Sequence, residues 1–286
     1  MRDLLAAGIR RTLLTPIFWI TAVASVIIGA FFGTVMRKDH HLDAAYLIFM
    51  QAVYAVLISF FVGREWEEGG FRTKIVRGHT RWRVLLAELF LSLLQTAVLT
   101  LLSVLTCAVV CGVTWTADAF DFGMRCILCL LFLCPVSTLI DFTLAILLPG
   151  RAIAVVMSLS LVVGMALATD ALRRDLNQPE QTRSVTSVFN EETGHYERTY
   201  GPWEDNPQYV GGVRRKVYTF LLYLLPSGQG DLCVSLLNAV LWTDLPQENL
   251  AGKDQTVLSV GAWYSTGFSL ALVACAGTAF CKRDLK

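Results

Sequence analysis

Three places in this sequence hold side chains that could do chemistry. The first is the stretch 63–83, GREWEEGGFRTKIVRGHTRWR, where Glu65, Glu67 and Glu68 precede a glycine pair and then a run of cations. The second is Asp141, which interrupts the apolar run 126–148. The third is Cys126 and Cys129, a Cys-x-x-Cys pair. A reactive thiolate or a zinc site needs polar surroundings. The neighbours here are Ile127, Leu128, Leu130 and Leu131, so the pair reads as small apolar residues in a helix, and no metal ligands are assigned. Seven of the eight cysteines lie in or at the ends of apolar runs. The large polar segment holds only Cys233, which leaves no disulfide framework there. No Gly-x-x-x-x-Gly-Lys-Ser/Thr phosphate loop follows Gly69-Gly70.

Elements that position these groups follow from composition. The chain has 286 residues, 55% hydrophobic and 16% charged, against about 25% charged in a typical soluble domain. The net charge of +1 hides a segregation of charges along the chain, and no basic run interleaved with aromatics points to nucleic acid. A span needs about 20 apolar residues. Six runs qualify: 17–36, 44–62, 85–113, 126–148, 152–169 and 257–281. Each must be helical, because unpaired backbone in lipid is too costly. The expected fold is therefore an all-α membrane protein of six spans. The first run follows arginines, as in a signal peptide, but is too long for one and reads as a retained span. The expected location is a plasma membrane crossed several times, in a bacterium.

Lys and Arg set the orientation. With the N-terminus inside, the inner flanks hold thirteen, while the short outer loops hold only Arg37, Lys38 and Arg125. Both termini are expected in the cytoplasm. The expected organisation is 1–169 for an N-terminal amphipathic segment and five spans, 170–256 for an extracytoplasmic segment, and 257–286 for the last span and tail. In the N-terminal segment Leu4, Leu5, Ile9, Leu13 and Leu14 share a helical face beside Arg10 and Arg11. That pattern suits a helix along the inner membrane surface or a simple basic anchor.

The outer segment is mixed. Val185, Val188, Tyr196 and Tyr200 flank 190–194, a candidate hairpin turn. The runs 217–225 and 232–242 are too short to span and predict two interfacial helices, separated by a breaker cluster at 226–230. Within the spans, Asp141 has two readings: a pathway or gating residue, or a group near the inner end that caps, snorkels or pairs with Arg64 or Arg151. Glu88, one turn into the third span, serves the interface, and Gln95 can hydrogen-bond across helices. Gly261, Gly267 and Gly277 in the last span allow close helix approach but form no Gly-x-x-x-Gly dimer motif.

The inner loop 63–83 is long enough for a short helix, broken at Gly69-Gly70 and again at Gly78, with Phe71, Ile75 and Val76 as an apolar edge for a partner. The other reading is a solvated basic anchor for the anionic inner leaflet. Gly63, Arg64, Glu65, Glu68, Gly69, Gly78 and Arg81 resemble the coupling region of type-2 ABC-exporter permeases. Phe280-Cys281-Lys282-Arg283-Asp284-Leu285 and Leu225-Pro226-Ser227-Gly228-Gln229 are also similar to stretches of that family. The resemblance implies a transport subunit that pairs with a second permease, identical or related. Its inner loop would dock on a separate ABC ATPase through Glu65, Glu67, Glu68, Gly69, Arg72, Lys74, Gly78 and Arg81. ATP and Mg would sit on that ATPase, and no cofactor on this chain. The loop 148–151 gives a smaller second contact.

A different class of function must be weighed. Glu67-Glu68-Gly69-Gly70-Phe71-Arg72 resembles the Glu-Glu-x-x-x-Arg motif of CAAX-type intramembrane proteases. That chemistry also needs histidines in a Phe-x-x-x-His pattern, and the residues four before His40, His41, His79 and His195 are Met36, Arg37, Ile75 and Glu191. A third class is a non-transporting membrane scaffold or sensor with the outer segment as receiver.

Overall fold

The structure is a computed structural model. It describes residues 2–39, 45–112, 134–148, 150–190, 195–230, 234 and 248–282; at 2–3, 188–190, 195–199, 248–262 and 265 it describes the backbone path alone. The Cys126/Cys129 pair, His40 and His41, the first third of the fourth expected span and nearly all of 232–242 lie outside the described residues.

The chain is predominantly helical. Its elements are α1 (Arg2–Leu14), α2 (Pro16–Asp39), α3 (Ala45–Glu67), α4 (Gly70–Val76), α5 (Arg81–Cys111), α6 (Cys134–Leu147), α7 (Arg151–Leu176), β1 (Gln181–Asn190), β2 (His195–Asp205), α8 (Gly212–Leu224), α9 (226–230) and α10 (Glu248–Lys282). By length and composition α2, α3, α5 and α7 can each cross a membrane, and α6 and Thr266–Lys282 are shorter apolar helices. Trp19, Ile20, Ile27 and Phe31 on α2 are exposed, as are Leu101, Leu105 and Val109 on α5. Apolar surface on this scale belongs against lipid. The chain is a helical membrane protein.

Local chemistry sets the boundaries. Pro16 opens α2, where its missing N–H costs nothing and its fixed φ suits the first turn. Gly112 ends α5 in the left-handed region at φ 72°. The 226–230 cluster does not break the chain as expected from its composition. Residues 226–230 are helical, the Gln229 N–H bonding the Leu225 carbonyl at 3.0 Å, and the interruption is confined to Leu225. Proline is a poor helix interior but a good helix start, so Pro226 begins a new turn.

Helix packing is read from paired residues. Added Cβ atoms at Gly29 and Gly33 would strike the backbone of Ser103 and Cys107, so α2 and α5 run in the same direction. Tyr46 meets Ser103 and Tyr54 meets Thr100, so α3 runs against α5. Thr138 bonds Thr96 and Cys134 meets Thr100, so α6 also runs against α5. Ser59 meets Ser158, and Gly63 lies against Arg151, so α7 runs against α3. The directions of α2, α3, α5, α6 and α7 thus alternate along the chain. The end of α1, the end of α3, the start of α5, the start of α7 and the end of α10 consequently gather at one end of the bundle.

The contacts divide the chain into two compact units, Met1–Ala166 with Tyr223–Lys286, and Leu167–Leu222. The second unit contains the hairpin expected around 190–194. Strands β1 and β2 pair antiparallel, Val185 opposite Tyr200, with an irregularity between Arg183 and Val185. The Arg183 guanidinium lies over the rings of Tyr200 and Trp203, at 4.0 and 4.9 Å. Asn206 closes the hairpin base through the Pro179 carbonyl at 2.9 Å.

Candidate functional site

The stretch 63–83 folds as a helical end, a turn, a short helix and a helical start. Gly69 (φ 68°) and Gly78 (φ 91°) both sit in the left-handed region that disfavours a side chain, and they bracket α4. The short helix expected between these glycines is therefore present, with the expected breaks. Its apolar edge is a different matter. Phe71 is only 1% exposed, its ring 4.9 Å from Trp66 and 5.2 Å from Phe280 of α10. Ile75 packs on the same core, and only Val76 stays exposed. Phe71 is an internal anchor and not part of a partner-facing edge, because burial of a Phe ring against two aromatics outweighs its exposure at a rim. The outward face of α4 carries Arg72, Thr73, Val76 and Arg77.

Beneath α4 lies an ionic cluster. Glu65, at the end of α3, receives Lys74 Nζ at 2.5 Å on Oε2 and pairs through Oε1 with Arg11 of α1. Glu88, two turns into α5, pairs with Lys74 through Oε1 and with Arg11 Nη2 at 3.1 Å through Oε2. Two carboxylates and two cations thus alternate around a ring, each ion touching both ions of opposite sign. Burial holds the Lys74 ammonium below the ordinary lysine range, while Glu88 pulls it up and Arg11 pushes it down. Two turns further along α5, the Gln95 amide donates to the Thr12 hydroxyl at 2.6 Å, and Thr12 donates to the Gly8 carbonyl at 3.0 Å. Gln95 makes the cross-helix bond expected of it. A Cβ at Gly70 would press on the Glu65 carboxylate, so the glycine lets α4 sit directly over the ring.

The remaining residues assigned to the coupling loop are held apart from this ring. Glu67 caps the start of α7: Oε1 accepts the Arg151 backbone N–H at 3.0 Å, and Oε2 is 3.0 Å from Arg151 Nε. A carboxylate suits a helix N-terminus. Gly63 permits this approach, since a Cβ there would lie 2.7 Å from Arg151 Cα. Glu68 pairs with Arg64 at 2.5 Å on the exposed rim. Arg72 projects outward. Arg81 Nη1 donates to the Cys281 carbonyl at 2.6 Å, fastening the start of α5 to the end of α10. Gly277 of α10 lies under the Trp82 ring, so its close approach is made inside the chain, whereas Gly267 has open space around it. As for the protease motif, Glu67 faces Arg151 and Glu68 faces Arg64, so both glutamates are committed to arginines.

Asp141 sits apart from the ring, in α6, and is 2% exposed. Ser158 of α7 is the polar side chain beside it, and the Ser158 hydroxyl lies 3.2 Å from that of Ser59 on α3. Neither Arg64 nor Arg151 serves it, because Glu68 and Glu67 occupy those cations. A second polar seam joins Tyr54, Thr100 and Cys134. Gln51, also buried, has no partner for its Oε1 among the described residues and lies beside a small cavity lined by Tyr46, Tyr54 and Ser137.

Two features escaped the sequence reading. Arg11 looked like a flanking charge of a surface helix, yet it completes the ring. The signal was Glu88, an acid in an apolar run that must find a partner. Gly29-x-x-x-Gly33 in α2 is the small-residue motif that seats α2 on α5, and it lay in the first span rather than the last. Comparison of the chain with family models, curated proteins and solved structures finds no match.

Proposed function

We propose that this chain is the permease subunit of an ABC exporter. In this reading it has six spans with both termini in the cytoplasm. Two such subunits form the path, and each docks on a separate ATPase that holds ATP and Mg. One observation carries the reading: α4 sits at the end of the bundle, ion-paired to α3 and α5 through Lys74 and packed on α10 through Phe71, with cationic Arg72 and Arg77 facing away from the protein. A force applied to such an element reaches several spans together, as a coupling helix requires. A mere basic anchor for lipid headgroups needs no buried ionic ring or aromatic clamp behind it. The Glu67–Arg151 pair extends the same docking surface to the 148–151 turn, and Asp141 with Ser158 and Ser59 supplies a polar group inside the spans where helices α3, α6 and α7 meet.

The test is co-purification of the full chain with an ABC ATPase encoded beside it, followed by ATPase assays in proteoliposomes. Arg72→Glu should release the ATPase or uncouple its hydrolysis while leaving the melting temperature of the permease unchanged, because Arg72 is exposed. An ATPase that never associates, or one indifferent to Arg72→Glu together with Glu68→Lys, removes the reading.

A further inference from the structure

Between α1 and the end of α3 lies a groove of about 670 Å3, within the range of sites that hold small molecules. Its lining is mixed: Leu14, Phe60 and Phe61 are apolar, and Arg10 and Arg64 bring positive charge. Ala6 and Ala7 leave the space between them unfilled. We propose that this groove binds an anionic phospholipid, its phosphate between Arg10 and Arg64 and an acyl chain along Phe60 and Leu14.

Three observations favour that occupant. The groove lies where α1 gives way to α2 and where α3 leaves its apolar run, so it sits at the height of lipid headgroups. Its apolar part is open to the bilayer, Leu14 being 73% exposed. Its charge is also unbalanced. Arg11 and Glu65 are consumed by the ionic ring, and Glu68 answers Arg64. Arg10 has no acidic partner among the described residues, which leaves one positive charge facing the space. A phosphodiester supplies the missing anion, and arginine can hold two phosphate oxygens together. A zwitterionic lipid brings its own cation and does not correct the imbalance. The inference stands whether or not the protein transports anything.

The test uses the full-length protein in nanodiscs of equal phosphatidylglycerol and phosphatidylcholine, with native mass spectrometry of the lipids retained on release. The wild type should retain phosphatidylglycerol preferentially. Arg10→Gln and Arg64→Gln should each lower the preference about five-fold, the factor a basic residue contributes near an anionic surface. Ala7→Trp, which fills the groove from an exposed position, should abolish it. Arg37→Gln with Lys38→Gln removes two charges at the other end of α2 and should leave it intact. Melting temperatures confirm that each variant is folded. Equal retention of the two lipids by the wild type overturns the proposal. So does a preference that survives Ala7→Trp, or one lost equally in the Arg37/Lys38 variant. Competition by millimolar glycerol 3-phosphate as effective as that by the whole lipid would assign the site to a free phosphate ester and overturn the lipid.

Discussion

Arg11 and Glu88 lie 77 residues apart in the chain, and their side chains meet at 3.1 Å. That contact joins the helix ahead of the first span to the start of α5. With Glu65 and Lys74 it makes an electrically balanced ring, which is how charge survives next to apolar helices. Breaking one buried pair typically costs about 3–5 kcal/mol, because the remaining charges lose their partner.

Glu88→Gln should therefore lower stability by about 3 kcal/mol, read as a drop in melting temperature in detergent micelles. Adding Lys74→Met should recover part of the loss, since it removes a cation left short of a carboxylate. A double variant that melts below the single one contradicts the balanced ring.

Lys74 also predicts a pH dependence. Its native ammonium titrates below the ordinary lysine value because burial outweighs its carboxylate neighbours. The unfolded chain therefore binds more protons in the alkaline range between the native value and about 10.4. The contribution of this group to stability rises with pH through that range and is lost as pH falls through the native value. Thermal melts of wild type and Lys74→Met, compared across alkaline pH, should show the wild type gaining relative to the variant. A flat difference rules out the assigned burial.

Phe71→Ala removes the ring that pins α4 to Trp66 and Phe280. A Phe-to-Ala change in a packed core costs about 3–5 kcal/mol. Beyond the lower melting temperature, trypsin should cut faster after Arg72 and Arg77. Cleavage at the wild-type rate would mean that α4 is held by the ionic ring alone.

Gly29→Ala places a methyl group 2.3 Å from the Ser103 carbonyl oxygen. Backbone cannot yield as a side chain does, so α2 and α5 must separate. Overpacking of this kind costs about 1–3 kcal/mol. Gly267→Ala, with open space around it, serves as the matched control and should melt like the wild type. Equal effects of the two substitutions would discount the α2–α5 contact.

Much of the fold was legible because its signals are local. Apolar run length marks α2, α3, α5 and α7 as helices long enough to cross a membrane, since lipid demands a helix of fixed length. Gly69 and Gly78 bound α4 because positive φ selects glycine. The hairpin of β1 and β2 follows from the residues around 190–194. Gln95 could be read as a cross-helix donor, since an amide in lipid must bond something.

What the sequence determined by itself is thus a helical membrane protein with its charge concentrated in one loop and one polar segment. The tertiary structure decided how those charges are used. Run length does not say which helices adjoin, so Arg11 could not be matched to Glu65 and Glu88 from periodicity. The same ignorance put Phe71 on a partner-facing edge and left Asp141 between a pathway role and a pairing with Arg64 or Arg151. Ionic and aromatic groups commit to whichever neighbour the helix packing brings within a few ångströms. That choice was made by Gly29, Gly33, Gly63 and Gly70, which let helices and the loop close to distances that larger residues forbid.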